Sequence, residues 1–182
     1  MQITEIFHSI QGEGTLMGLP MLFVRTNTCN LRCTWCDTKY SFYNGREIDL
    51  EDLAETVQKS DEKWVCFTGG EPLVQREALE FVKMCLDSDK NVLIETNGTI
   101  PIEKYVFSDR VVIDMDVKPP SAEVKKPFFY RNLEYLRDRD YIKIVIASDE
   151  DLAFAMEFIN GLDKRINVVI QPAWGNNIRK IA

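Results

Sequence analysis

The stretch TCNLRCTWCDT, Thr28 to Thr38, carries three of the chain's five cysteines. Cys29, Cys33 and Cys36 are spaced C-x3-C-x2-C and follow directly on the apolar run Met21–Arg25 (MLFVR). Thiols gathered in a loop behind a β-rich run point to metal or redox chemistry, yet the count is one short. A closed structural zinc site takes four ligands. The chain has a single histidine, His8; Cys66 sits inside another β-rich run and Cys85 on the apolar face of a helical pattern. Zinc would therefore have to recruit Asp37 or His8. A four-iron cluster normally takes four cysteines as well. With three, one iron keeps an open position for a ligand, as the open position of a catalytic zinc does.

Five further β-rich runs lie along the chain: Trp64–Thr68, Asn91–Glu95, Val111–Met115, Ile142–Ile146 and Ile166–Ile170. They are nearly continuous in apolar residues, as strands of a parallel sheet covered on both faces are. Helical patterns fall between them at Leu50–Val57, Glu77–Leu86 and Asp149–Asn160. Ser148–Asp151 reads as a capping box before the last of these, and Gly161 as its stop. The alternation predicts right-handed βαβ units in an α/β fold: an open, partial (βα)6-type barrel with a mostly parallel six-stranded sheet, in one domain over 1–182. In such sheets ligands gather at the carboxyl ends of the strands. The cysteine loop, Gly69–Pro72, Glu95–Gly98, Asp116–Pro119 and Gln171–Pro172 each follow a run, which predicts one shared site.

Apolar residues make up 45% of the chain and its formal net charge is −7. A protein that grips phosphates through its surface is basic, so nucleic-acid binding is not expected as the primary activity. The start MQITEIFHSIQGEG lacks the charged head and apolar core of a signal peptide, and no apolar run reaches the length of a membrane span. The expected compartment is the cytoplasm, without membrane attachment, where thiols stay reduced and an odd cysteine count does not describe a disulfide framework.

The cysteine spacing, together with Gly69-Gly70-Glu71-Pro72, resembles the radical S-adenosylmethionine superfamily. The segment EIFHSIQGEGTLMGLPMLFVRTNTCNLRCTWCDT, with Glu95-Thr96-Asn97-Gly98 and Lys118-Pro119-Pro120-Ser121, resembles one family within it, the 7-carboxy-7-deazaguanine synthases, from about Glu5 to Pro172. That resemblance implies a carbon–nitrogen lyase. It would convert 6-carboxy-5,6,7,8-tetrahydropterin to 7-carboxy-7-deazaguanine with loss of ammonia, on the route to queuosine and archaeosine. It implies a 4Fe-4S cluster on Cys29, Cys33 and Cys36, S-adenosylmethionine on its open iron, a magnesium ion at Thr38, a flavodoxin- or ferredoxin-type reductant and a homodimer.

Residue by residue, the resemblance places Ile10, Gln11, Gly12, Arg25, Thr68 and Glu95 against the pterin. The planar fork of Arg25 matches the substrate carboxylate. Trp35, Cys36, Asp37, Gly70, Asp116, Val117, Lys118, Gln171, Pro172, Ala173 and Trp174 would line S-adenosylmethionine. The family often has Ser-Pro-Lys where this chain has Asp116-Val117-Lys118. Bland readings stand beside these: QGEG as a glycine turn, Thr38 bonded to nearby backbone, Cys66 and Cys85 as small core residues, His8 as structural. Two other functions compete: an activase that places a radical on a glycyl-radical protein, and a zinc-stabilised binding module.

Overall fold

The computed structural model describes residues 1–125, 128–162 and 166–173. Its strands are β1 (Gln2–Ile10), β2 (Pro20–Thr26), β3 (Arg46–Glu47), β4 (Trp64–Gly69), β5 (Asn91–Thr96), β6 (Val111–Asp116), β7 (Tyr141–Ile146) and β8 (Asn167–Pro172). They form one sheet in the order β3-β1-β2-β4-β5-β6-β7-β8. Six strands, β2 and β4 to β8, run parallel, as the apolar runs predict. Two antiparallel strands extend the sheet beyond the expected six: β1 pairs with β2, and β3 with β1.

The helices are α1 (Leu50–Lys59), α2 (Ala78–Asp87) and α3 (Asp149–Asn160). At the start of α3 the Ser148 hydroxyl accepts from the Asp151 N–H at 3.2 Å, and the Asp151 carboxylate accepts from the Ser148 N–H at 3.1 Å, which is the capping box the sequence predicts. The fold departs from a full (βα)6 pattern at two crossovers. Among the described residues, the connections β5–β6 and β6–β7 carry only 3-10 turns, at Glu103–Tyr105, Pro120–Ala122 and Tyr130–Tyr135. Neither segment has an apolar face repeating at helical spacing, and prolines interrupt both (Pro101, Pro119, Pro120).

Successive side chains alternate between the two faces of each strand. On the outer face Val24, Phe67, Ile94, Ile113 and Ile144 pack against α1 and α2 through Leu53, Val57, Phe81 and Val82, and against Ala155 of α3; every one of these is at most 1% exposed. Phe67 and Phe81 meet at 4.8 Å between ring centres, their planes tilted by 48°. Burying each of these Val, Leu, Ile and Phe side chains contributes about 1.5–3 kcal/mol. The inner face holds a smaller apolar cluster of Met21, Phe23, Cys66, Leu93, Val112 and Tyr141.

The β1–β2 connection crosses the inner face and closes it from one side. Gly14 has φ +69°, and a Cβ there would stand 2.2 Å from the Tyr141 hydroxyl oxygen. Only glycine satisfies both the left-handed backbone and this contact. No helix among the described residues is long and apolar enough to cross a membrane.

Candidate active site

On the inner face every parallel strand changes from apolar to polar toward its carboxyl end. Phe23 gives way to Arg25, Cys66 to Thr68, Leu93 to Glu95, Val112 to Asp114 and Asp116, Tyr141 to Lys143, and Val169 to Gln171. These polar groups line one cavity of about 500 Å³ together with the cysteine loop. A larger open groove, about 970 Å³, lies near the amino ends of β6 to β8. It gathers no comparable set of groups: Arg137 there spends its guanidinium on the Asp140 carboxylate and on the carbonyls of Val106, Ser108 and Val111.

The cysteine loop is held from several sides. Thr28, which opens it, has φ +78°, a strained conformation for a β-branched residue. Its N–H donates to the Ser41 carbonyl at 3.0 Å, and its carbonyl accepts from the Glu71 N–H at 2.9 Å. Arg32 donates to the carbonyls of Cys29 and Leu31 and lies over the Phe42 ring at 4.3 Å. The Trp35 indole N–H donates to the Ser121 hydroxyl at 2.9 Å, and the Lys118 ammonium lies 5.2 Å above that ring. The loop after β4 packs directly on this one: a Cβ at Gly70 would stand 2.3 Å from the Thr28 carbonyl oxygen and 2.9 Å from the Cys29 Cβ.

Glu71 of the Gly-Gly-Glu-Pro turn faces away from the cavity. It is fully buried and accepts from the Leu73 N–H at 3.0 Å, the Thr96 hydroxyl at 2.8 Å and the Asn97 N–H at 2.7 Å. Its carboxylate thereby ties the β4 loop to the end of β5. Burial pushes its pKa up to about 7 even against these donors.

The three thiols suit a cluster. Cys29, Cys33 and Cys36 are half-buried, unpaired and line the same cavity, whereas Cys66 and Cys85 are fully buried elsewhere. Among the described residues no group of three His, Cys, Asp or Glu side chains converges on a point that one metal ion would fill. Ligands to separate irons of a cluster need no such convergence. Burial raises the thiol pKa of Cys29 and Cys33, and Lys118 works against that rise. The Leu31 N–H donates to the Cys29 sulfur at 3.4 Å and the Asn97 amide approaches it at 3.9 Å. The Thr38 hydroxyl lies 3.7 Å from the Cys36 sulfur and donates to the Asp37 carboxylate at 3.2 Å, at the cavity rim.

The strand residues of the cavity form a connected polar floor. Glu95 accepts from the Gln11 amide at 2.9 Å and from the Thr68 hydroxyl at 2.6 Å. Glu13 pairs with Lys143 at 2.8 Å and accepts from the Gln171 amide at 2.9 Å. Lys143 also pairs with Asp114 at 3.2 Å. Burial alone would lower the Lys143 pKa and raise that of Glu13. The carboxylates of Asp114, Asp116, Glu95 and Glu13 instead hold Lys143 well above the usual range, and Lys143 with Gln171 holds Glu13 below it. For Asp114 burial, with the nearby charges of Glu95 and Asp116, outweighs the lowering by Lys143 and pushes its pKa up to about 7. Asp116 pairs with Lys118 at 2.7 Å, which lowers its pKa against burial.

The structure brings most of the expected contact residues to this cavity: Ile10, Gln11, Gly12, Arg25, Trp35, Cys36, Asp37, Thr68, Gly70, Glu95, Asp116, Lys118, Gln171, Pro172 and Ala173. Val117 turns the other way. It is 2% exposed within the outer core, so only its backbone can face a cofactor. Trp174 lies outside the described residues. His8 is exposed and pairs with Glu62 at 2.7 Å, with no part in the cavity. Sequence reasoning missed Glu13, Lys143 and Asp114. A signal existed for two of them: each is a lone charge inside an apolar strand, in IKIVI and VVIDM, where charge is rare unless paired.

An open half-barrel with a three-thiol loop behind its first parallel strand defines a radical S-adenosylmethionine domain, and residues 23–147 match the family model described as the Radical SAM superfamily. The crystal structure of QueE from Escherichia coli superposes with a TM-score of 0.75 at 23% identity, covering 94% of this chain and 83% of that one. Streptococcus suis SuiB bound to S-adenosylmethionine shares the fold at a TM-score of 0.64 and 13% identity, over 82% of this chain and 39% of that one. The 7-carboxy-7-deazaguanine synthase of Thermoplasma acidophilum is 65% identical over the whole chain and 87% of its own length. That of Koribacter versatilis is 42% identical over 98% of this chain and 80% of its own length. The chain belongs to the 7-carboxy-7-deazaguanine synthase family of radical S-adenosylmethionine enzymes.

Proposed function

We propose that the chain is a lyase that converts 6-carboxy-5,6,7,8-tetrahydropterin to 7-carboxy-7-deazaguanine with loss of ammonia, in 7-deazapurine biosynthesis. The observation that carries this reading is one cavity lined by the three-thiol loop, an arginine fork and a carboxylate-rich polar floor. Family membership points to the same reaction rather than to a glycyl-radical activase or a zinc-stabilised module. A cavity of about 500 Å³ also matches a small molecule better than a protein segment.

Cys29, Cys33 and Cys36 hold the 4Fe-4S cluster. Gly70, Trp35, Asp37, Asp116, Lys118 and the Gln171–Ala173 segment surround S-adenosylmethionine, with Val117 contributing backbone alone. When bound, the cluster and S-adenosylmethionine supply a 5′-deoxyadenosyl radical. Arg25 pairs with the substrate carboxylate, and Thr38 offers a hard oxygen to magnesium, which keeps several waters and needs few protein ligands. Gln11, Thr68 and Glu95 meet the ring's polar edge: the Glu95 carboxylate accepts from ring N–H groups, which fits a 2-amino pyrimidinone. Phe7, Phe23 and the β1–β2 connection keep water from the inner face.

The chain acts as one domain over 1–182, in the cytoplasm, as a homodimer reduced by a flavodoxin- or ferredoxin-type protein. Anaerobic turnover with the carboxylated tetrahydropterin, S-adenosylmethionine, magnesium and a chemical reductant, read by mass spectrometry, tests the reaction. Product lighter than substrate by one ammonia is expected. Cleavage of S-adenosylmethionine that leaves the pterin unchanged would reject the substrate.

A further inference from the structure

β1 and β2 pair antiparallel with Ile3 opposite Thr26 but Glu5 opposite Arg25, so one extra residue, Thr4, is inserted between them. The consequence follows from the two-residue period of a strand. Ile3 lies on the outer face, buried in the main core, and an unbroken strand would send Glu5 to that same face. The bulge turns the strand over and sets Glu5 beside Arg25 on the inner face. Bulges near active sites re-aim single side chains in this way.

What Glu5 does there is specific. Its Oε1 accepts from the Arg25 Nε at 2.7 Å and from the Tyr40 hydroxyl at 2.8 Å. The Arg25 guanidinium lies 5.8 Å from the centre of the Phe7 ring, and Phe7 stacks on Phe23 at 4.9 Å. The arginine is thus fixed at its Nε edge and over one face. Among the described residues neither of its terminal Nη nitrogens has a hydrogen-bond partner, and Arg25 lines the cavity. Tyr40 lies two residues beyond Thr38, on the stretch that continues the cysteine loop. A guanidinium free to rotate offers its donors in many directions; one pinned at Nε presents a fixed pair.

We propose that Glu5, delivered by the bulge at Thr4 and supported by Tyr40, is a positioning residue that aims the Arg25 fork and makes the cavity selective for a carboxylated ring. The inference rests on the assignment of Arg25 to the substrate carboxylate. Selectivity arises because the pinned fork has already lost the rotamer freedom that binding would otherwise remove.

Equilibrium binding of two stable probes to the anaerobically reconstituted holoenzyme tests it: 6-carboxypterin, and pterin without the carboxylate. Glu5→Ala should weaken 6-carboxypterin about tenfold and leave pterin unchanged, the loss expected when one charge-assisted hydrogen bond no longer fixes the fork. Glu5→Gln keeps an acceptor for Nε and should restore most of that affinity. Tyr40→Phe should cost about two- to threefold, again for the carboxylated probe alone. Iron content of each variant reports whether the cysteine loop is intact. Equal weakening of both probes, or of neither, by Glu5→Ala and Tyr40→Phe overturns the positioning role. Arg25→Ala separates this from the underlying assignment. If it abolishes the preference while Glu5→Ala does not, only the positioning role fails; if it leaves the preference intact, the carboxylate assignment itself fails.

Discussion

The two faces of the sheet are built from the same strands and differ in how far their apolar character runs. On the outer face Phe67, Ile94, Ile113 and Ile144 are apolar and buried, capped by three helices. On the inner face the apolar cluster stops half-way, at Cys66, Leu93, Val112 and Tyr141, and each strand then presents Thr68, Glu95, Asp114 or Lys143. A polar group placed there needs a partner or a ligand. The outer face therefore supplies stability, and the inner face carries that cost where it lines the candidate site.

Substitutions on the two faces should separate these roles. Cys33→Ala, in the loop above the inner face, should abolish turnover altogether while the metal-free chain unfolds within roughly 0.5 kcal/mol of the parent, because a half-exposed thiol contributes little packing. An equally large loss of stability would make the loop part of the frame. Ile113→Ala on the outer face should do the reverse. About 2–5 kcal/mol of stability should go in denaturant titrations, with substrate affinity of the folded fraction unchanged.

A smaller effect comes from Asp114, whose carboxyl sits at about 7 in the fold against an ordinary value of 3.8. A raised carboxyl favours the fold while protonated. That contribution is complete below about pH 4 and lost as pH rises through about 7. The parent should therefore lose roughly 1–4 kcal/mol relative to Asp114→Asn between pH 4 and pH 8. A difference that stays constant would mean the folded carboxyl titrates normally. Smallest is Thr38: Thr38→Ala should blunt the stimulation of turnover by magnesium a few-fold, and Thr38→Ser should keep most of it, since the hydroxyl remains. Equal activity of the parent with magnesium and with a chelator would return Thr38 to its local contact with Asp37.

The outer face was nearly all legible beforehand, because a strand buried on both sides writes itself as an apolar run. β2 and β4 to β8 appear that way within one or two residues. β1 did not, for a physical reason: the bulge at Thr4 breaks its two-residue period, so QITEIFHSI shows no clean alternation. β3 has two residues and offers no pattern at all. The missing helices at two crossovers follow from proline-broken segments that settle into 3-10 turns.

On the inner face the cysteine spacing, the Gly-Gly-Glu-Pro turn and Arg25 were readable as motifs. The role of Glu71 was not readable: its carboxylate is spent on the ends of β4 and β5. Lys143 and Asp114 stand out as charges inside apolar strands, but the second partner of Lys143, Glu13, arrives from a loop 130 residues away in sequence. That pairing depends on the β1–β2 connection crossing to β7 at Gly14, which no local pattern specifies.

The central claim is that three thiols, and no others, hold a cluster at the mouth of the inner face. Iron, acid-labile sulfide and zinc analysis of the anaerobically reconstituted chain, beside Cys66→Ala, tests it most directly. About four irons and four sulfides per chain in both proteins are expected. Zinc without sulfide in the parent, or loss of the cluster from Cys66→Ala, would contradict it.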